Sequence, residues 1–127
     1  MLAAAIQRSG KDAVFTLATR DMNKLAVQSL LLGAQLLGLQ NVVVVQGDLF
    51  GEQDQARVAT VNDYPPTGLI SAIVQMNQRQ AFKDTTVRTP SDFCIGGADD
   101  LGRGIEEETQ LAIGKAQAGG HTERNEP

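Results

Sequence analysis

Asn41-Val42-Val43-Val44-Val45 constrains this chain more than any other segment. Four consecutive β-branched residues fit a strand, and a strand without polar alternation is expected to bury both faces. Such runs belong to parallel sheets covered by helices on both sides. The run ends at Gln46-Gly47-Asp48, a turn-forming sequence. The flanking segments must then supply neighbouring strands and crossover helices.

Leu2 to Arg8 reads as the end of a helix, stopped by Ser9-Gly10-Lys11-Asp12. Ala13 to Ala18 is an apolar run of strand length. Asp21 is the expected N-cap of the next helix. From Met22 to Leu37 the apolar residues recur at helical spacing, with Ala26, Leu30, Gly33 and Leu37 on one face and Leu25, Leu32 and Leu36 beside them. Gly33 is expected to let this helix approach the sheet closely, and Gly38 ends it. Leu49 to Pro66 is a long polar loop with room for a broken turn of helix, and loops of this length are more often functional than idle. Gly68 to Asn77 returns to helical spacing through Leu69, Ile70, Ile73 and Met76. Gln78 to Pro90 is irregular. Asp92 to Gly97 is a third strand. Ile105 to Ala118 is a helix whose Glu106, Glu107 and Glu108 sit in a first turn that favours negative charge, read as a solvated helix start. His121 to Pro127 is a polar tail with no strand pattern and is expected to be disordered. The order α-β-α-β-α-β-α gives an α/β fold with a parallel sheet and right-handed crossovers.

With 127 residues the chain holds one domain at most, about half of the roughly 250 residues of an eight-stranded β/α barrel. A net charge of −4 with no basic stripe argues against a nucleic-acid partner. No apolar run reaches the roughly 20 residues that span a bilayer, so no membrane partner is expected. The single cysteine, Cys94, excludes an internal disulfide and fits a reduced, cytoplasmic setting. Within its apolar strand it is expected to be a buried, inert thiol.

Ligands of parallel α/β proteins sit beyond the C-terminal ends of the strands. Three segments qualify: Thr16 to Asp21, Gln46 to Asp48, and Gly96 to Asp100. Gly47 would let the backbone approach a ligand, and Asp48 is then a carboxylate at the mouth of the sheet, or else a turn aspartate bonded to the backbone alone. Arg20 is either an anion binder or the partner of Asp21. Gly102-Arg103-Gly104 lacks the third glycine of a dinucleotide fingerprint, since Glu107 holds that place. The only histidine, His121, lies in the tail, which removes histidine-based nucleophilic triads from the domain. There is no Cys/His cluster for zinc, so no metal is expected. There is also no phosphate loop ending in Gly-Lys-Ser/Thr.

The segment Thr16-Leu17-Ala18-Thr19-Arg20-Asp21-Met22-Asn23, followed by Leu25-Ala26-Val27-Gln28-Ser29, resembles a signature of the methylenetetrahydrofolate reductase family, typically His-Leu-Thr-Cys-Arg-Asp-Arg-Asn with Leu-Ala-Leu-Gln-Ser. The likeness continues through Leu37-Gly38-Leu39-Gln40-Asn41-Val42 to Val44-Val45-Gln46-Gly47-Asp48. It is looser at Thr67-Gly68-Leu69-Ile70, Asp92 to Ala98, and Lys115-Ala116-Gln117-Ala118-Gly119. It spans about residues 10 to 120.

The resemblance implies the middle of a (β/α)8 barrel, with about three parallel strands alternating with helices over residues 1–120. It implies FAD as cofactor, NAD(P)H as reductant and a folate substrate, 5,10-methylenetetrahydrofolate reduced to 5-methyltetrahydrofolate. It places Asp48 beside flavin and folate as the catalytic carboxylate, where its charge would tune the flavin potential. It also implies flavin contacts for Gly47, Ala98, Glu108 and Lys115, while Thr16 takes the place of a family histidine. The family's glutamate acid lies on its first strand, which has no counterpart here. Its folate-binding glutamine would fall near Glu126, where the pattern has been left. Three strands of eight leave open edges and a bare interior face, so the isolated chain is expected to be weakly active or inactive and poorly soluble. Two other readings stay open. One is a non-catalytic α/β binding module that assembles with another copy or a partner; the other is an unrelated doubly wound small-ligand domain.

Overall fold

The computed structural model describes residues 2–81, 85–100, 102 and 104–123, with the backbone alone for 121–123. Helix α1 (Leu2–Arg8) leads into β1 (Val14–Ala18), α2 (Lys24–Leu36) and β2 (Asn41–Val45). After the short α3 (Glu52–Gln55) come α4 (Pro66–Asn77), a small antiparallel pair β3 (Gln80–Ala81) and β4 (Thr85–Thr86), then β5 (Cys94–Ala98), α5 (Ile105–Gln117) and β6 (His121–Glu123). The main sheet is four-stranded and wholly parallel, in the order β1-β2-β5-β6. The chain therefore builds three principal parallel strands alternating with helices, and adds a fourth, shorter one.

Strand order follows chain order with no reversal. Right-handed crossovers that step repeatedly in one direction put all their helices on the same face. Burial agrees with that geometry. Leu17 of β1 stands beside Val44 of β2, and Val42 beside Ile95 of β5, and all four are buried under the helices. The helical lid centres on α4, whose Leu69, Ile70 and Ile73 are fully buried. Each such side chain contributes about 1.5–3 kcal/mol relative to exposure. Pro66 opens α4 at its first turn, where a missing N–H costs nothing. At the other end Asn77 ties α4 to the approach of β5. Its amide donates to the Phe93 carbonyl at 2.9 Å, and its carbonyl accepts from Phe93 N–H at 3.0 Å and Ser91 Oγ at 2.8 Å.

The opposite face carries Val14, Thr16 and Ala18 from β1, then Asn41, Val43 and Val45 from β2, then Cys94, Gly96 and Ala98 from β5. No helix covers it. Double-sided burial of the valine run is therefore half realised: Val42 and Val44 are 1% exposed, while Val43 and Val45 are half-buried. Cys94, expected to be buried, is exposed on this face.

Other expectations also change. Asn23, not Asp21, caps α2, accepting from Ala26 N–H at 2.9 Å; Asp21 is engaged by Arg20. The buried stripe of α2 is Val27, Leu31 and Ala34, and Leu25 and Leu36 point away from the sheet. Gly33 has nothing within 4 Å of a notional Cβ, so it mediates no close approach. His121–Glu123, read as tail, adds to the sheet as β6, because its backbone completes a parallel ladder with Gly96–Ala98 that needs no apolar pattern. Residues 124–127 of the expected tail lie outside the described residues. No described helix is long and apolar enough to cross a membrane.

Candidate functional site

A cleft of about 750 Å³ opens at the C-terminal ends of β2 and β5. Its walls come from the outlet of β2 (Gln46, Gly47, Asp48), the outlet of β5 (Ala98, Asp99, Asp100), the entry to α4 (Tyr64 to Thr67) and the inner side of α5 (Glu108, Leu111, Lys115). Five of the six residues expected to hold a cofactor meet here: Gly47, Asp48, Ala98, Glu108 and Lys115. The sixth, Thr16, does not. It lies mid-strand in β1, paired with Val43 and exposed on the uncovered face.

The β2 outlet is shaped by Gly47, whose φ of +87° is in the left-handed region. A Cβ there would also stand 3.2 Å from Arg20 Cβ. Arg20 fastens the outlets of β1 and β2 together. Its Nη1 donates to the Asp48 carbonyl, its Nε and Nη2 donate to the Asp21 carboxylate at 2.5 and 3.1 Å, and its guanidinium lies 4.0 Å from the centre of the Phe50 ring. Of the two readings of Arg20, the ion pair is the one formed. The hydrogen bond to Asp21 raises the Arg20 pKa and holds the Asp21 carboxyl below its ordinary value. The backbone continues the β1–β2 ladder past the strands, with Thr19 N–H donating to Val45 O and Arg20 N–H to Gln46 O.

Across the cleft, Lys115 lays its stem against Gly97, where a Cβ would stand 3.0 Å from Lys115 Cδ. Its ammonium donates to the Ala98 carbonyl at 2.5 Å and to Asp99 Oδ1 at 2.7 Å, and lies 3.6 Å from Glu108 Oε1. That Oε1 accepts from Asp100 N–H at 2.9 Å. Glu108 is 3% exposed, and its Oε2 is buried without a hydrogen-bond partner among the described residues. An orphaned buried carboxylate oxygen is costly and calls for a donor. The solvated acidic helix start thus holds for Glu106 and Glu107 and fails for Glu108, which turns inward with Lys115.

The size and the hydrogen-bonding groups of the cleft bear on the FAD that the resemblance implies. A cleft of this size is in the range of ligand pockets, about 300–1,000 Å³. Glu108 Oε2 can accept from a ligand N–H or hydroxyl, and Asp48 is among the residues of the opposite wall. A pyrophosphate needs cations or free backbone N–H groups. Lys115 is the one cation lining the cleft among the described residues, and it is committed to two carboxylates. The described cleft therefore carries hydrogen-bonding groups, and its one lining cation is not free for a pyrophosphate.

Asp99 and Asp100 fall in the strand outlet Gly96 to Asp100 named from the sequence, whereas sequence reasoning missed Tyr64, Thr67 and Leu111 as wall residues. The length of the loop from Leu49 to Pro66 was the available signal for Tyr64. Glu108 and Lys115, two helical turns apart, share one face of α5, which was the signal for a buried acid–base pair. Among the described residues no group of three His, Cys, Asp or Glu side chains is arranged to hold a metal ion. Compared with family models, with curated proteins and with solved structures, the chain gives no match in any of the three.

Proposed function

We propose that this chain forms one wall of the flavin site of a methylenetetrahydrofolate reductase built on a (β/α)8 barrel. The observation that carries the reading is the convergence of Asp48, presented by the left-handed Gly47, with Ala98, Glu108 and Lys115 around one cleft. The sheet order supports the barrel. Strands that follow chain order, with helices on one face, suit a singly wound closed sheet better than a doubly wound one, whose order reverses at the ligand crevice.

In this reading Glu108 Oε2 accepts from a flavin donor, and Gly47 brings the backbone close to the ring. Asp48 sets a negative charge beside it, lowering the flavin potential and favouring a cationic iminium form of the folate. Bound FAD, reduced by NAD(P)H, supplies the hydride that turns 5,10-methylenetetrahydrofolate into 5-methyltetrahydrofolate. The chain's own residues hold and tune that group; the acid that activates the folate is not among them.

Flavin binding is the test, since turnover needs residues beyond this wall. FAD titrated into the chain should change its visible absorbance and quench its fluorescence. Glu108→Gln should weaken that binding, and Asp48→Asn should raise the potential of the bound flavin. Unchanged flavin spectra at every protein concentration would remove the proposal.

A further inference from the structure

We propose that the cleft selects an uncharged, hydrogen-bond-donating ligand and repels phosphate, so that riboflavin binds to it more tightly than its phosphate esters FMN and FAD. The inference deepens the flavin reading and rests on it.

The lining of the cleft is acidic. Asp48, Asp99, Asp100 and Glu108 face one basic residue, Lys115, a formal excess of three negative charges among the described residues. The Lys115 ammonium donates to the Ala98 carbonyl and to Asp99, and Glu108 lies on its other side. A phosphate would have to displace a carboxylate to reach it. The Arg20 guanidinium, at the β1 outlet, is held by Asp21 and by the Asp48 carbonyl. The first turn of α5, where the helix dipole would favour an anion, carries Glu106, Glu107 and Glu108.

Backbone donors are engaged in the same way. Phosphate-binding loops present free N–H groups to their ligand. At the β5 outlet, Asp100 N–H donates to Glu108 Oε1 at 2.9 Å, and Gly102 N–H donates to Asp100 Oδ1 at 3.0 Å. At the β1 outlet, the Thr19 and Arg20 N–H groups are taken by Val45 O and Gln46 O. At the β5 outlet, acidic side chains thus occupy donors that an anion would need.

What the cleft offers instead is an acceptor. Glu108 is 3% exposed, and its Oε2 is buried without a hydrogen-bond partner among the described residues. A carboxylate oxygen in that state favours a ligand N–H or O–H. Tyr64, Pro65 and Leu111 add apolar wall for a flat ring. The isoalloxazine ring of riboflavin supplies an N–H, its ribityl chain supplies hydroxyls, and neither is charged. FMN differs from riboflavin by its phosphate alone, which makes it the sharper comparison.

The experiment titrates riboflavin, FMN and FAD with the chain and follows quenching of flavin fluorescence, at ionic strengths from about 0.01 M to about 0.15 M. Over that range the screening length falls from about 30 Å to about 8 Å. At the low end FMN should bind about tenfold more weakly than riboflavin, the scale of a few like-charge pairs roughly 10 Å apart in water. The gap should narrow as salt rises, because screening weakens the repulsion and riboflavin carries no charge to screen. FAD should follow FMN in its salt response. Phosphate held by cations behaves in the opposite sense and binds more weakly as salt rises. Asp100→Asn keeps a side-chain oxygen for Gly102 N–H and removes one charge, so it should bring FMN about threefold closer to riboflavin. Circular dichroism checks that the variant folds; if it does not, the salt response of the unaltered chain decides the matter. FMN or FAD binding tenfold more tightly than riboflavin, and weakening with salt, overturns the inference and leaves the flavin reading standing. Equal affinities that ignore salt do the same. Absence of quenching with all three removes the flavin reading and this inference with it.

Discussion

The Lys115 ammonium lies 2.7 Å from the Asp99 carboxylate, and both side chains are largely withdrawn from solvent, at 8% and 13% exposure. Glu108 stands on the other side of the same ammonium, more deeply buried still. Removing one member of such a group leaves charge in a poorly solvated place, which typically costs about 3–5 kcal/mol. Lys115→Met should destabilise the chain by that order in urea unfolding. The Lys115→Met/Glu108→Met double variant should be less unstable than the sum of the two single changes, because the stranded carboxylate is gone. Additive effects would show that the three groups do not act together.

Gly47→Ala should cost about 1–3 kcal/mol. The alanine meets an unfavourable φ of +87° and also a contact of 3.2 Å with Arg20 Cβ. Because Arg20 links Asp21 to the Asp48 carbonyl, relief of that contact should displace the Asp48 backbone. Ligand binding should therefore fall by more than the stability loss alone explains. A Gly47→Ala chain of unchanged melting temperature would show the turn to be more compliant than this.

Asp48→Asn separates site from scaffold. The scaffold uses the backbone carbonyl of Asp48, as acceptor for Arg20 Nη1, and Asp48 also lines the cleft. The substitution keeps that carbonyl, so stability should change by no more than about 0.5 kcal/mol, while the properties of any bound flavin shift. A large stability loss would return Asp48 to the purely structural role its turn position also allows.

Asp21 carries a sign that acid titration can read. Its hydrogen bond from Arg20 lowers its pKa below the ordinary 3.8. The pair's stabilisation is therefore present above that value and is lost as pH falls through the lower folded value. Both groups are exposed and solvent screens them, so the effect is small. It should still appear in a carboxyl titration by NMR, and Arg20→Gln should return Asp21 to its ordinary range.

Local pattern made the strands and the main helices legible. The valine run, the spacing of Leu69, Ile70, Ile73 and Met76, and the glycines after α1, α2 and α5 are short-range signals that the fold keeps. What stayed hidden depends on distant partners. Asp21 and Asn23 are equally good caps in isolation, and Arg20 decides between them by taking Asp21. Glu108 looks like its neighbours until Lys115, two turns on, turns it inward. Val43 matches Val42 in sequence, and only the one-sided placement of the helices leaves it half-covered. The cleft followed from strand outlets, whereas the contribution of Tyr64 needed the path of a long loop.

Tyr64 offers the cleanest titration, being the only tyrosine in a chain without tryptophan. Burial raises its pKa above 10, and the neighbouring Asp63 carboxylate pushes in the same direction. In the unfolded chain the phenol ionises at its ordinary value, so between pH 10 and the higher folded value the unfolded state releases a proton that the folded state retains. Stability is then undiminished below pH 10 and declines as pH rises through that window. Tyrosinate absorbance should show a midpoint above 10 in the native chain and near 10 in urea, and urea stability should fall over the same interval. Tyr64 also lines the cleft, so a ligand that excludes water from its ring should move the native midpoint higher still. A native midpoint at or below 10 would mean that the wall formed by Tyr64 is open to solvent, and the cleft with it.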